Sequence, residues 1–293
     1  MYYFGLMLSL ATVYLLAGLG ATLSLKTRQI NLAGEGLIYA GGFATAIILD
    51  AMGALKVPSF FAILTAFSAS LVLGALLMLF CEFLHKYKNA DFLLTTFITS
   101  SALIPLIDGL IAGPFRTKTG NLLATPYLIQ SYRFKSILKP SPLNASIFIA
   151  VILCIAAHFF FAKTRSGKRT NIYGISPAFA RYSGFNCTAM TFSSAALSGA
   201  LHTMAGAVAV CGTYYTCHSS FYVSMGWNAL SVAMLAGTKP LLLIPSSIFV
   251  SLLMTYSGKL ALYSNFDFDI STLIQAVILF AISMGSFFRR DKC

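Results

Sequence analysis

Acidic side chains are scarce in this sequence. Eight Asp and Glu stand against 20 Lys and Arg in 293 residues, and only 10% of the chain is charged while 58% is hydrophobic. Soluble domains carry about a quarter charged residues. A soluble globular domain is therefore excluded, because so few charged side chains cannot cover so apolar a core. Further absences remove whole classes of chemistry. The six cysteines (Cys81, Cys154, Cys187, Cys211, Cys217, Cys293) form no C-x-x-C pair, so no metal site follows from them. Most sit in or beside apolar runs, where free Cys acts as a small hydrophobe; Cys211 and Cys217 could pair in an oxidising space. A G-x-x-x-x-G-K-[ST] phosphate loop is missing, since Gly167-Lys168-Arg169 and Gly258-Lys259-Leu260 lack the hydroxyl residue and the upstream Gly. Also missing are H-E-x-x-H, a Ser-His-Asp set and usable paired carboxylates, so the chain reads as a non-enzyme. Without a basic helix carrying interleaved aromatics, nucleic acid is not an expected partner.

What the chain has is apolar length. Mean hydropathy is +0.81, and several runs reach the ~20 residues that cross a bilayer as a helix. The expected fold is all-α, a polytopic membrane bundle of about eight or nine transmembrane helices forming one domain over 1–293. Phe4–Leu23 has no basic leader region or cleavage site and reads as a retained first span. A second, irregular span follows Asn31 and Glu35 and ends near Asp50; six of the ten residues Ala33–Gly42 are Gly or Ala, which permits close helix approach. Further spans are expected at Pro58–Phe83, Phe92–Ala112, Leu143–Ala162 and Met190–Cys211. Trp227–Ala236 is too short to cross and stops at Gly237-Thr238-Lys239-Pro240, so it reads as a half-helix followed by a return over Leu241–Tyr256. Lys259–Asp269 is expected outside and Leu273–Phe288 as the last span, with Arg289, Arg290 and Lys292 inside.

Loop charges orient these spans, because cytoplasmic loops collect Lys and Arg. Lys26, Arg28, Lys86 and Lys88 fit the inside, as does the loop Lys163–Ala189 with five basic residues and no acid. The long connection Gly113–Pro142 carries Arg116, Lys118, Arg133, Lys135 and Lys139 and conflicts with that rule. It is placed outside because the reverse would expose the loop at Lys163. Within 163–189, Ser176-Pro177 starts a short helix with Pro at its first position, running through Tyr182 to Gly184, a shape suited to a partner's groove. The loop's remaining basic residues set topology and touch anionic lipid.

Polar residues inside spans are the candidate pathway. An ionisable group there is costly and faces a cavity or partner, which singles out Glu35, with Asn31 four residues before it. Their alternative role is to hold an irregular helix. Thr191, Ser194, Ser198 and His202 share one face of a small-residue helix, an interior wall that either lines a pathway or packs. Thr95 and Thr99 lie in a central span, where hydroxyls also bond their own helix carbonyls. Trp227 and Asn228 open the half-helix near the outer side, as an interfacial anchor and a cap or as pathway residues.

Three blocks in order carry a resemblance: RQINLAGEGLIYAGGFATA (Arg28–Ala46), TRSGKRTNIYGISPAFARYSGF (Thr164–Phe185), and LSGALHTMAGAV followed by SMGWNALSVAMLAGTKPL. The chain resembles the permease subunits of bacterial ABC importers for nucleosides and simple sugars, in the branch that includes branched-chain amino acid permeases. The match spans roughly residues 20–258. It departs from the family pattern at Asn31–Gly36, at Phe179, where Ala is usual, and at the GTKP break. The resemblance implies a type II importer-like permease in the bacterial inner membrane; the polar residues of the spans, Asn31, Glu35, Thr95, Thr99, Ser198, His202 and Asn228, are the candidates for its substrate pathway. It implies a cytoplasmic coupling loop, 163–189, in which Gly174, Pro177, Ala180, Arg181 and Gly184 match the family position by position. It further implies a second permease subunit, identical or not, cytoplasmic ATPase subunits that hold the ATP and Mg²⁺, an extracytoplasmic substrate-binding lipoprotein, and surrounding lipid. No metal and no cofactor is expected on this chain. The competing reading is an ion-coupled secondary transporter, which would need coupling-ion groups and usually internal repeats.

Overall fold

The computed structural model describes residues 1–117 and 121–263, together with 273, 276, 277 and 280. The expected last span and basic C-terminus, and Lys118, fall largely or wholly outside these. Among the described residues the fold is helical with no strands, only isolated bridges. Seven helices among these residues are long and apolar enough to cross a membrane. They include α1 (Tyr2–Lys26), α2 (Gly34–Ala54), α3 (Ser59–Lys88), α4 (Phe92–Ala112) and α5 (Ser146–Lys163). Helices α6 (Arg165–Ile175) and α7 (Pro177–Tyr182) are short; α8 (Cys187–Ala209) continues into a π turn, Val210–Tyr214. The half-helix α9 (Met225–Leu235) and α10 (Leu243–Tyr263) follow.

Helix α8 is the centre, packed by α1, α2 and α3. Its small residues make this possible: a Cβ on Gly199 would stand 2.1 Å from the Gly74 carbonyl oxygen of α3. Such backbone approach is how helices associate in lipid, where apolar side chains gain little by leaving the bilayer. Phe60, Leu64, Val72, Leu76 and Phe80 of α3, and Phe148, Ile152 and Phe159 of α5, point outward and are exposed on this chain.

Two connections lie on opposite faces. The 113–142 stretch packs on the segment after α8, with Thr125 N–H donating to the Cys217 carbonyl at 2.9 Å and Phe134 N–H to that of Cys211 at 2.9 Å. Cys211 and Cys217 are unbridged; burial pushes the Cys217 thiol up, with the Asp108 carboxylate adding to it. The basic 163–189 stretch sits at the other end, against the end of α1. Opposite faces for two basic loops is the arrangement read from the charges despite their conflict.

Three expectations change. Residues 165–175 form a helix rather than a loop, capped by the Thr164 hydroxyl, which accepts from Gly167 N–H at 3.0 Å. Helix α10 runs on through Lys259 to Tyr263, past the expected end at Tyr256. Glu35, expected ahead of the second span, lies in the first turn of α2, while Asn31 precedes the helix as expected, since residues 27–33 are not helical.

Candidate functional site

The non-helical segment 27–33 runs along the polar face of α8. Thr27 Oγ1 donates to Ser194 Oγ at 3.1 Å, Ser194 donates to the Leu23 carbonyl at 2.7 Å, and Asn31 Nδ2 donates to Ser198 Oγ at 3.0 Å. Gly34 then lies against the His202 ring. On the other side α4 supplies acceptors: Leu32 N–H reaches Thr96 Oγ1 at 3.2 Å and Gly36 N–H reaches Ser100 Oγ at 2.9 Å. Asn31 Oδ1 accepts from Ala33 N–H at 2.8 Å. Backbone groups left unpaired in lipid cost several kcal/mol each, so irregular backbone at this depth needs such partners. The hydroxyl stripe of α8 and the hydroxyls of α4 are the two walls that let the chain run unwound here.

The unwound segment delivers the start of α2 to the middle of the bundle. His202 lies midway along the 28-residue span Cys187–Tyr214, and Gly34 stands beside it. Helix α9 begins at the same level. A Cβ on Gly34 would meet Gly226 Cα at 3.1 Å, and a Cβ on Gly226 would stand 2.4 Å from Glu35 N. Two helix N-termini therefore converge, and Glu35 sits between them, its Oε1 accepting the Ser224 N–H at 2.9 Å. A carboxylate is favoured where two positive helix ends meet. Ser224 adopts φ 65° to present that N–H.

A small cavity of about 80 Å³ opens there, walled by Asn31, Glu35, Phe97, Ser100, Ser101 and Trp227. Ligand pockets begin near ~300 Å³, so in this conformation the space is too small for a sugar-sized solute. Above it, Tyr39 and Ser219 both donate to Asp108 Oδ1, at 2.6 and 2.8 Å. The Tyr39 ring lies 4.5 Å from that of Tyr222 and 5.6 Å from that of Phe221. Burial, then the carboxylates of Asp108 and Glu35, raise the Tyr222 phenol above its ordinary range, so it stays a donor. This aromatic layer joins α2 to the segment that leads into α9.

The seven pathway candidates separate. Asn31 and Glu35 line the cavity. Ser198 is fully buried beneath Asn31, and His202 Nδ1 lies 2.7 Å from the Ser198 carbonyl, which only accepts, so that nitrogen carries the proton. Thr95 and Thr99 bond their own helix, at the Asp91 and Thr95 carbonyls, and Thr99 faces Cys81 of α3. Asn228 is no cap: it is buried within α9 and donates Nδ2 to Tyr14 Oη at 3.1 Å. Trp227 faces the cavity and not an outer interface. Four residues outside the candidate set also matter: Ser100 and Ser101 line the cavity, Asp108 anchors Tyr39 and Ser219, and Glu82 is buried and accepts from Gln29 Nε2 at 2.5 Å. The signal for the last two was available: acids are so rare here that each one inside a span calls for a partner. Among the described residues no three His, Cys, Asp or Glu converge as a metal site.

At the opposite end, α6 and α7 are tied to α1. Arg28 Nε and Nη2 donate to the carbonyls of Gly174 and Ile175 at 2.8 and 2.7 Å. A Cβ on Gly174 would stand 2.5 Å from the Lys26 carbonyl oxygen. Ser176 caps α7, Pro177 opens it, and Gly184 closes it at φ 74° with its N–H on the Arg181 carbonyl. Burial raises the Tyr173 phenol, with Cys187 and Glu82 adding and Arg181 and Arg28 opposing. Ala180 is fully buried, whereas Ile175, Phe179 and Tyr182 are exposed, Tyr182 at 93%. The matching Ala position therefore holds α7 in place, and its neighbours form the surface.

Comparison with known proteins agrees with this architecture. A family model described as branched-chain amino acid transport system / permease component matches residues 3–283. The chain is 33% identical to the Treponema pallidum protein named "Probable riboflavin import permease protein RfuC" over 276 residues, 93% of this chain and 72% of that one. It is 22% identical to the glucose ABC transporter permease TsgB13 of Haloferax volcanii (96% and 76% covered) and 21% identical to the guanosine ABC transporter permease NupP of Bacillus subtilis (96% and 81%). Among solved structures, PsaBC from Streptococcus pneumoniae in complex with a Fab aligns with a TM-score of 0.55 at 14% identity, over 97% of this chain and 91% of that one.

Proposed function

The chain belongs to the family of branched-chain amino acid transport system permease components, and on that footing we propose that its solute is neutral and rich in hydroxyls, a nucleoside or simple sugar. The protein is a multi-pass membrane permease subunit of an ATP-driven ABC importer. The observation that carries the substrate reading is the meeting of α2 and α9 at Glu35. Two partial positive helix ends and one carboxylate leave the site close to neutral, while Ser100, Ser101 and Glu35 Oε2 offer hydrogen bonds to hydroxyls. A strongly cationic or anionic solute would find no compensating cluster. The relatives named for riboflavin, guanosine and glucose all act on hydroxyl-rich solutes, which supports the same class.

In the assembled importer, a second permease subunit faces this one across the pathway, in the bacterial cytoplasmic membrane. An extracytoplasmic binding protein delivers the solute at the 113–142 face. ATPase subunits, holding ATP and Mg²⁺, dock on Ile175, Phe179 and Tyr182, with residues 176–184 receiving their motion. Arg28 on the Gly174 and Ile175 carbonyls passes that motion to α1 and thence to the unwound segment at Glu35. No cofactor resides on this chain. The test is uptake by the complex reconstituted in liposomes: ATP-dependent accumulation of guanosine, riboflavin or glucose supports the reading. Uptake driven by an ion gradient without ATP points instead to a secondary transporter.

A further inference from the structure

Two grooves meet at the end of α1 beside the α6–α7 hairpin. One, of about 470 Å³, is bordered by Leu25, Gly174 and Thr238. The other, of about 500 Å³, is walled by Phe161, Ala162, Leu241 and Leu242. They share Lys26, Asn171 and Lys239, and neither contains an acid. Leu241 and Leu242 are 41% and 46% exposed, so the apolar groove opens on the membrane-facing side. Lys26 is held in place: Nζ donates to Asn171 Oδ1 at 2.8 Å and lies 4.5 Å over the Phe161 ring. That uses one of its three N–H donors. Lys239 is exposed, and its ammonium has no carboxylate partner among the described residues.

We propose that this pair of grooves binds one anionic phospholipid, its phosphate on Lys26 and Lys239 and an acyl chain along Phe161, Leu241 and Leu242. Basic pockets at helix ends suit anionic headgroups. A free inorganic anion would answer the two ammonium groups and leave the adjoining apolar groove uncovered, whereas a phospholipid covers both. The headgroup lies beside Gly174, whose carbonyl takes Arg28. A lipid there braces α6 against α1 and makes coupling depend on bilayer composition.

The test uses the purified transporter complex and native mass spectrometry with phosphatidylglycerol and phosphatidylcholine. Lysines near an anionic surface contribute about fivefold each, so Lys239→Gln should weaken phosphatidylglycerol binding about fivefold and Lys26→Gln/Lys239→Gln about 25-fold. Lys239→Arg and Lys88→Gln, a basic residue at the end of α3, should leave it unchanged, and phosphatidylcholine should bind weakly to all. Because Lys239 is exposed, its single variant remains informative even if the double variant fails to assemble. Unchanged phosphatidylglycerol occupancy in Lys239→Gln overturns the proposal. So does full displacement by inorganic phosphate, which would make the site a simple anion site. Loss of the ATPase subunit with phosphatidylglycerol retained would assign the lysines to protein docking and overturn it equally.

Discussion

Glu35 Oε1 accepts the Ser224 N–H at 2.9 Å, joining positions 189 residues apart. The contact fixes the start of α2 to the start of α9 at the middle of the bundle. Glu35 also lines the cavity, so one residue both holds the site and stands where a solute would meet it.

Those two roles can be separated. Glu35→Gln keeps an acceptor for Ser224 but lowers its strength; hydrogen bonds to charged groups are worth about 1.5–3 kcal/mol against about 1 for neutral ones. The variant should insert normally, lose roughly 1 kcal/mol of stability, and lose most ATP-driven uptake. Thermal unfolding in detergent together with proteoliposome uptake checks it. Uptake at the wild-type level would leave Glu35 with the holding role alone.

The glycine contact beneath it should tolerate no side chain. A Cβ on Gly226 would stand 2.4 Å from Glu35 N, whereas one on Gly109 of α4 meets nothing within 4 Å. Gly226→Ala should therefore cost on the order of 1–3 kcal/mol through forced backbone movement. Gly109→Ala should be neutral or stabilising by about 0.5–1 kcal/mol through helix propensity. Paired melting curves distinguish the two; equal effects would mean that α2 and α9 do not touch as described.

On α7, Tyr182→Glu and Phe179→Glu place a charge on exposed positions. They should abolish co-purification of the ATPase while the permease still inserts. Ala180→Glu would instead bury a carboxylate where Ala is fully covered. It should lower permease yield itself, a different outcome visible on the same gel.

The break after α9 stores strain. Gly237 and Thr238 have φ of 57° and 58°, and a β-branched residue in that region is a genuine outlier. Thr238→Asn, which tolerates the left-handed conformation, should raise stability by about 1 kcal/mol. A lower melting temperature would show that the Thr side chain makes a compensating contact.

Much of this was legible in the residues. Fourth-span boundaries Phe92–Ala112 coincide with α4, the half-helix and its GTKP break are where the short apolar run and Pro240 put them, and Glu35 stood out because acids are rare. The hydroxyls were not separable from sequence. Thr95 and Ser100 look alike along α4, yet the first bonds back to the Asp91 carbonyl and the second caps α2, because only one of them faces the start of that helix. Ala180 and Phe179 likewise differ in which side of a six-residue helix is covered by its neighbours.

By itself, the sequence determined the membrane class, the order of spans, the basic face and the family, since hydropathy, charge and motif spacing act within windows of about 20 residues. The tertiary structure alone decided that residues 27–33 unwind between α4 and α8, and that α2 and α9 begin together at Glu35. An unwound backbone inside a membrane exists only where other groups satisfy its polar atoms; here Thr96 takes Leu32 N–H and Ser100 takes Gly36 N–H at the start of α2, each from 64 residues away, while Ser194 and Ser198 hold the Thr27 and Asn31 side chains from 167 residues away.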